Sequence, residues 1–309
     1  MKQGSAPAAK EYRDKPLWGM ACKSASAFFF AIMFAFARSL GTEYPVGEIV
    51  FFRSLFGIPV IVVTALMVGG PRLLVAKRIS THAGRSLSGA VAMYCNFAAF
   101  TMLPLADATA IGFASPLFVV VLAATMLGER VHLYRWSAVI AGFAGILIIA
   151  GPEASLDGSA LKGAGFGVAG AALTALAMIY LRRMSAHEHS ITIAFYYMIA
   201  TTTFSLFTSP FGWLTPTNGE AAMLILAGLA GGAGQIFLSL SYRYAEASAV
   251  APFDYTAMIW AVAIGYFAFM ELPAVEVWIG SVIVIAAGLA ILWRERQLGK
   301  ERGPTQTLL

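Results

Sequence analysis

Apolar residues in this chain do not alternate with polar ones; they run in long blocks separated by short polar stretches. A helix needs roughly 20 apolar residues to cross a hydrocarbon core of about 30 Å. On that ruler the sequence predicts spans near 17–37, 46–68, 84–103, 107–127 and 134–151. A second set is predicted near 162–181, 191–211, 221–240, 248–270 and 276–293. Neighbouring spans are too close together to leave room for a folded soluble domain between them. Residues 1–16 and 294–309 are read as polar tails, with 17–151 and 162–293 forming two halves of five spans each. The expected fold is an all-α membrane protein of ten transmembrane helices.

Charge supports the count and orients the chain. Of the 21 Lys and Arg residues, only Arg38 and Lys162 fall in one alternate set of connections, and Lys23 and Arg53 lie within spans. The others fall in the opposite set, at the adjoining first residues of a span (Arg85 and Arg135), or in the tails, which the positive-inside rule places in the cytoplasm. Both termini are therefore expected inside, with the chain in the cell inner membrane. Composition agrees, since only 12% of residues are charged and 59% are hydrophobic, against about 25% charged in a soluble domain. The net charge of +5 is a topology signal and predicts no nucleic-acid partner. Cys22 and Cys95 both lie inside apolar spans, so no disulfide framework is indicated. The first apolar run is too long for a signal-peptide core and reads as the first span.

The fourth and ninth spans resemble each other. Asp107-Ala108-Thr109-Ala110 through Pro116 to Gly128-Glu129-Arg130 parallels Ser248-Ala249-Val250-Ala251-Pro252 through to Glu271-Leu272-Pro273. Because each half has an odd number of spans, the second copy enters the membrane the other way up. Inverted repeats of this kind build carriers whose solute site lies near the midplane. The same residues carry a family resemblance: Glu48-x4-Arg53, Arg85, Pro116 with Gly128-Glu129-Arg130, and above all Ala251-Pro252-Phe253-Asp254-Tyr255 followed by Trp260-Ala261, Gly265 and Glu271-Leu272-Pro273. Over about residues 17–295 the chain resembles EamA-type members of the drug/metabolite transporter superfamily. The resemblance implies a ten-helix basket around a central cavity, alternating access without ATP hydrolysis, and spans five and ten set to one side. Similar proteins export amino acids or metallophores, or take up riboflavin or S-adenosylmethionine.

Ionisable groups inside spans are costly and are functional candidates. Asp254 lies roughly 10 Å into the ninth span, with Pro252 disturbing the helix just before it and Tyr255 just after. Lys23 enters from the same side to about the same depth, placed either to pair with Asp254 or to extend to the surface. Arg53 lies about 10 Å in from the opposite face, in a structural or gating role or, as the alternative, holding a carboxylate or phosphate of the solute. Tyr94, Trp260 and Pro116 complete the candidate set, the rings suiting a flat solute through stacking. Phe253, Trp260 and Phe267, seven residues apart, are expected to share a face.

Other signals are refused. Gly165-Phe166-Gly167-Val168-Ala169-Gly170 fits a dinucleotide pattern but follows no strand. His187 and His189 lack the partners of a zinc site. No cofactor motif and no catalytic cluster is visible, so an intramembrane enzyme or a scaffold is disfavoured against a carrier. The predicted partners are the lipid bilayer and a small-molecule substrate, with a homodimer possible through the small-residue last span. The specific expectation is uptake of riboflavin or a similar heterocycle. The alternatives are export of amino acids or related metabolites, and S-adenosylmethionine uptake.

Overall fold

The computed structural model describes residues 16–76, 79–126, 133–150, 158–184, 188–245 and 250–301. Among these there is no strand. The helices are α1 (Pro16–Leu40), α2 (Val46–Val68), α3 (Ile79–Met102), α4 (Leu105–Gly112), α5 (Ser115–Met126), α6 (Leu133–Ala150), α7 (Gly158–Met184), α8 (Ser190–Leu206), α9 (Asn218–Tyr244), α10 (Thr256–Phe269) and α11 (Val275–Glu301). The fourth pass is α4 with α5, and the ninth is a 3₁₀ turn over Ala251–Tyr255 followed by α10. The described residues thus make ten passes. Glu129 and His187 lie outside the described residues.

The helices outrun the apolar blocks at several ends, because a helix keeps its hydrogen-bond ladder into the polar layer where side chains no longer need be apolar. α3 begins at Ile79, α7 covers Gly158–Met184 and α11 continues to Glu301. The seventh pass is shorter than expected: α8 stops at Leu206, and Ser209–Phe211 forms a 3₁₀ turn around Pro210. Five passes, 17–40, 46–68, 105–126, 158–181 and 218–238, are by themselves long and apolar enough to cross a membrane. Those of α6, α8 and α11 are apolar but shorter, α3 carries His82 and Arg85, and the ninth is interrupted by its 3₁₀ turn.

Proline explains both interruptions. Pro116 has no N–H to offer the Gly112 carbonyl, and the fourth pass breaks at Phe113 and Ala114, just before it. Pro252 sits at the start of the 3₁₀ turn in the ninth. The break is therefore mid-pass in one copy and at the entrance in the other.

The packing shows the inverted repeat. α1 lies along α9, and α3 lies along α7 in the matching way. A two-fold that exchanges the halves maps the first contact onto the second. It likewise maps α5 on α7 onto α10 on α1, while α2–α8, α4–α10 and α6–α11 map onto themselves. α6 and α11 pack chiefly against each other. Their approach is set by glycine: a Cβ at Gly280 would stand 2.5 Å from the Gly145 carbonyl oxygen, and one at Gly145 would stand 2.9 Å from that of Gly280. Close backbone contact of this kind is what holds helices together where lipid removes the hydrophobic drive. Gly280→Val is accordingly expected to cost about 1–3 kcal/mol through overpacking, seen as a lowered melting temperature of the purified protein; an unchanged one would disprove the close approach.

Large apolar side chains cover the outside, among them Met67, Ile140, Leu147, Phe267 and Val282, each more than half exposed. Contiguous apolar surface on this scale fits lipid, not water.

Candidate functional site

α1 organises the site. Its Lys23 is 3% exposed, and its Nζ lies 2.8 Å from Oδ1 of Asp254, whose side chain is 53% exposed. Both residues stand about 10 Å from one end of the bundle, here the Arg72 end. One turn on, Phe28 meets the edge of Trp260 with ring centroids 4.9 Å apart. Phe28 also contacts Phe29, which stacks on Phe237 of α9 at 5.4 Å. Ser26 Oγ donates to the Gly234 carbonyl at 2.8 Å and fixes α1 on α9. The arrangement is a carboxylate–ammonium pair, partly open, beside a wall of rings.

The structure distributes the other predicted residues around this pair. Tyr255 turns away from the pair, its ring against Phe113 at 5.0 Å and its hydroxyl where a Cβ on Gly288 would sit. Pro116 lies one turn beyond that same Phe113, at the start of α5. Tyr94 of α3 meets Phe204 edge-on at 6.0 Å. Arg53 is 2% exposed and points its Nε to the Met33 sulfur at 3.2 Å and its Nη1 to the Met198 sulfur at 3.4 Å. Phe267 lies seven residues beyond Trp260 on α10 and so on the same helix face, but it is 79% exposed and meets Tyr266; the ring partner of Trp260 is Phe28. Three candidates keep a buried polar atom without a hydrogen-bond partner: the Trp260 Nε1, the Tyr94 hydroxyl and the Tyr255 hydroxyl. Such groups are costly in a bare interior.

Two groups of contacts at the opposite end, the Glu271 end, were not anticipated. Glu271 follows Met270, which has φ 55°. Its Oε1 accepts from both Nε and Nη2 of Arg38, and its Oε2 accepts from the Leu105 N–H at 3.3 Å. Arg38 Nη1 also donates to the Leu103 carbonyl. One carboxylate thus ties α1, the 103–105 corner and the end of the ninth pass. Nearby, the buried Glu48 accepts from the Tyr44 hydroxyl at 3.1 Å and the Leu214 N–H at 3.0 Å, closing the connection between α8 and α9. Burial first, and Glu48 second, push the Tyr44 phenol above its usual range. The sequence held one clue, since Arg38 was one of only two cations on its side. His189, refused as a zinc ligand, accepts from the Ile191 N–H at 3.3 Å and caps α8.

Ten helical passes in two inverted halves, with ion pairs at both ends and unpaired polar groups between, define an integral membrane transporter. The chain belongs to the EamA-like transporter family, which matches residues 17–151 and again 161–293. It is 28% identical over 270 residues to an S-adenosylmethionine uptake transporter of Rickettsia conorii, covering 87% of this chain and 90% of that one. It is similarly 28% identical to the pseudopaline exporter CntI of Pseudomonas aeruginosa, over 86% of this chain and 93% of that one. A riboflavin transporter of Rhizobium johnstonii is 31% identical over 72% of each chain.

Proposed function

We propose that the protein is a secondary carrier of a metabolite with a flat heterocyclic ring, working by alternating access in the cell inner membrane with both termini cytoplasmic. The observation that carries the reading is the Phe28–Trp260 ring pair, with its unpaired indole N–H, beside the Lys23–Asp254 pair. Rings stack a heterocycle whatever its substituents, and the indole donor offers a hydrogen bond to a ring nitrogen or carbonyl. A mutually neutralised ion pair suits a neutral solute, and riboflavin is such a molecule. S-adenosylmethionine is the second reading, favoured by the half-open Asp254 carboxylate, which would attract a sulfonium or ammonium next to aromatic faces. The similarity to proteins with both activities supports these two solutes, and that to an exporter keeps outward movement of related metabolites as the alternative.

The test is entry into proteoliposomes of riboflavin, followed by its fluorescence, and of radiolabelled S-adenosylmethionine. We expect saturable entry of one of them, with KM raised about fivefold in Trp260→Phe, which keeps a ring and removes the donor. Entry of neither, in either direction, would end the heterocycle reading.

A further inference from the structure

Two guanidinium groups inside the bundle are held without a carboxylate. Among the described residues the acceptors of Arg53, on α2, are the thioethers of Met33 and Met198, and sulfur is a weak one. Arg85, on α3, lies over the ring of Tyr197 at 4.3 Å, and its Nε and Nη1 are buried without a hydrogen-bond partner. Among the described residues the ion pairs involve neither arginine. Their supports, Tyr197 and Met198, are consecutive residues of α8, so the two cations meet α8 at one level. Tyr197 is itself fixed, its hydroxyl donating to the Gly89 carbonyl at 3.2 Å. Glycine makes room for each guanidinium: a Cβ at Gly231 would crowd the Met33 sulfur at 2.8 Å and Arg53 Nε at 3.1 Å, and one at Gly89 would strike Arg85 Nη1.

An unpaired guanidinium is an expensive guest in a membrane interior. Two of them, each backed by an aromatic or thioether surface and lacking an anion, form half of a site. Arg presents planar, forked donors that match carboxylate and phosphate oxygens two at a time. We propose that Arg53 and Arg85, set on either side of the Tyr197–Met198 step, are an oxyanion subsite that takes the carboxylate or phosphate of the carried solute. Met33 and Met198 are flexible side chains that cover Arg53 when the subsite is empty and yield to a stronger acceptor. The inference rests on the carrier reading and deepens it. A solute with both a ring and an anionic group would span from Trp260 to Arg85, which favours S-adenosylmethionine, with its α-carboxylate, over riboflavin.

The experiment uses the purified full chain and the arginine reagent phenylglyoxal, with modification of each arginine-containing peptide followed by mass spectrometry. Inorganic phosphate and S-adenosylmethionine are each expected to slow modification of Arg85 about tenfold relative to sodium chloride at equal ionic strength. Riboflavin should not protect Arg85, and Arg72, exposed in the turn after α2, should react alike in every sample. Equal rates at Arg85 with and without the anions would overturn the subsite, as would an Arg85 that never reacts. In transport, Arg85→Gln should raise KM for S-adenosylmethionine and leave kcat nearly unchanged. Protection by phosphate without transport of either heterocycle would defeat the ring reading and keep the subsite. Transport of a heterocycle without protection would do the reverse.

Discussion

Asp254→Asn is expected to lower the initial transport rate at least about tenfold, and the exchange Lys23→Asp with Asp254→Lys to recover part of the loss. The physical basis is the environment of Lys23, 3% exposed with its ammonium 2.8 Å from the carboxylate. Asparagine removes the counter-charge and leaves a cation in a low-dielectric interior. Breaking a fully buried pair costs about 3–5 kcal/mol. Asp254 is about half open to solvent, so about 2 kcal/mol is the better expectation here, enough to shift both stability and the balance between conformers. The double exchange rebuilds the pair with its polarity reversed and so restores the charge balance, though not the geometry of the ring wall. Transport rate and melting temperature should be measured on Asp254→Asn, on Lys23→Asp and Asp254→Lys singly, and on the exchange. If both single variants and the exchange match the wild type, the pair has no part in transport.

The second large effect is expected at the Glu271 end. Arg38→Ala or Glu271→Ala removes a charged contact that joins three segments of the bundle. Hydrogen bonds to charged groups contribute about 1.5–3 kcal/mol each, so the equilibrium toward opening of that end should move about tenfold or more. A cysteine placed at Leu103, now 5% exposed, reports it after Cys22 and Cys95 are replaced by serine. Its reaction with a membrane-impermeant maleimide should speed up about tenfold in either alanine variant. Unaltered labelling in both would show that the contact holds nothing shut.

The legible part of the fold was the part the bilayer dictates. Ten passes could be read because each needs a long apolar run and because basic residues sort to one side. Lys23 and Asp254 could be matched because depth is arithmetic along a helix, and both lie seven or so residues from the same end. The illegible part depends on rotation about the helix axis. The 3₁₀ turn over Ala251–Tyr255 advances about 120° per residue instead of about 100°, and Tyr255 at its end lies against Phe113 and Gly288. Pro116 reads as a candidate site residue, and the turn at Phe113 and Ala114 before it was not expected. The partner of Arg38 could not be read at all, since Glu271 is 233 positions away and charge sorting assigns sides, not partners. The Arg53 surroundings were hidden for a similar reason: Met33 and Met198 carry no signal of their own.

The two ion pairs on α1 also have a mechanical meaning. Lys23 binds the start of the ninth pass and Arg38 binds its end, about 22 Å further along α1. A rod pinned at two points against its neighbour cannot tilt. Released at one, it turns about the other as a lever about its fulcrum. A rotation of about 15° over that arm parts the free ends by about 6 Å, room for an aromatic ring to enter edge-on. On the proposed carrier mechanism the pair that stays closed would set the axis, and exchanging which pair is broken would reverse the side that opens.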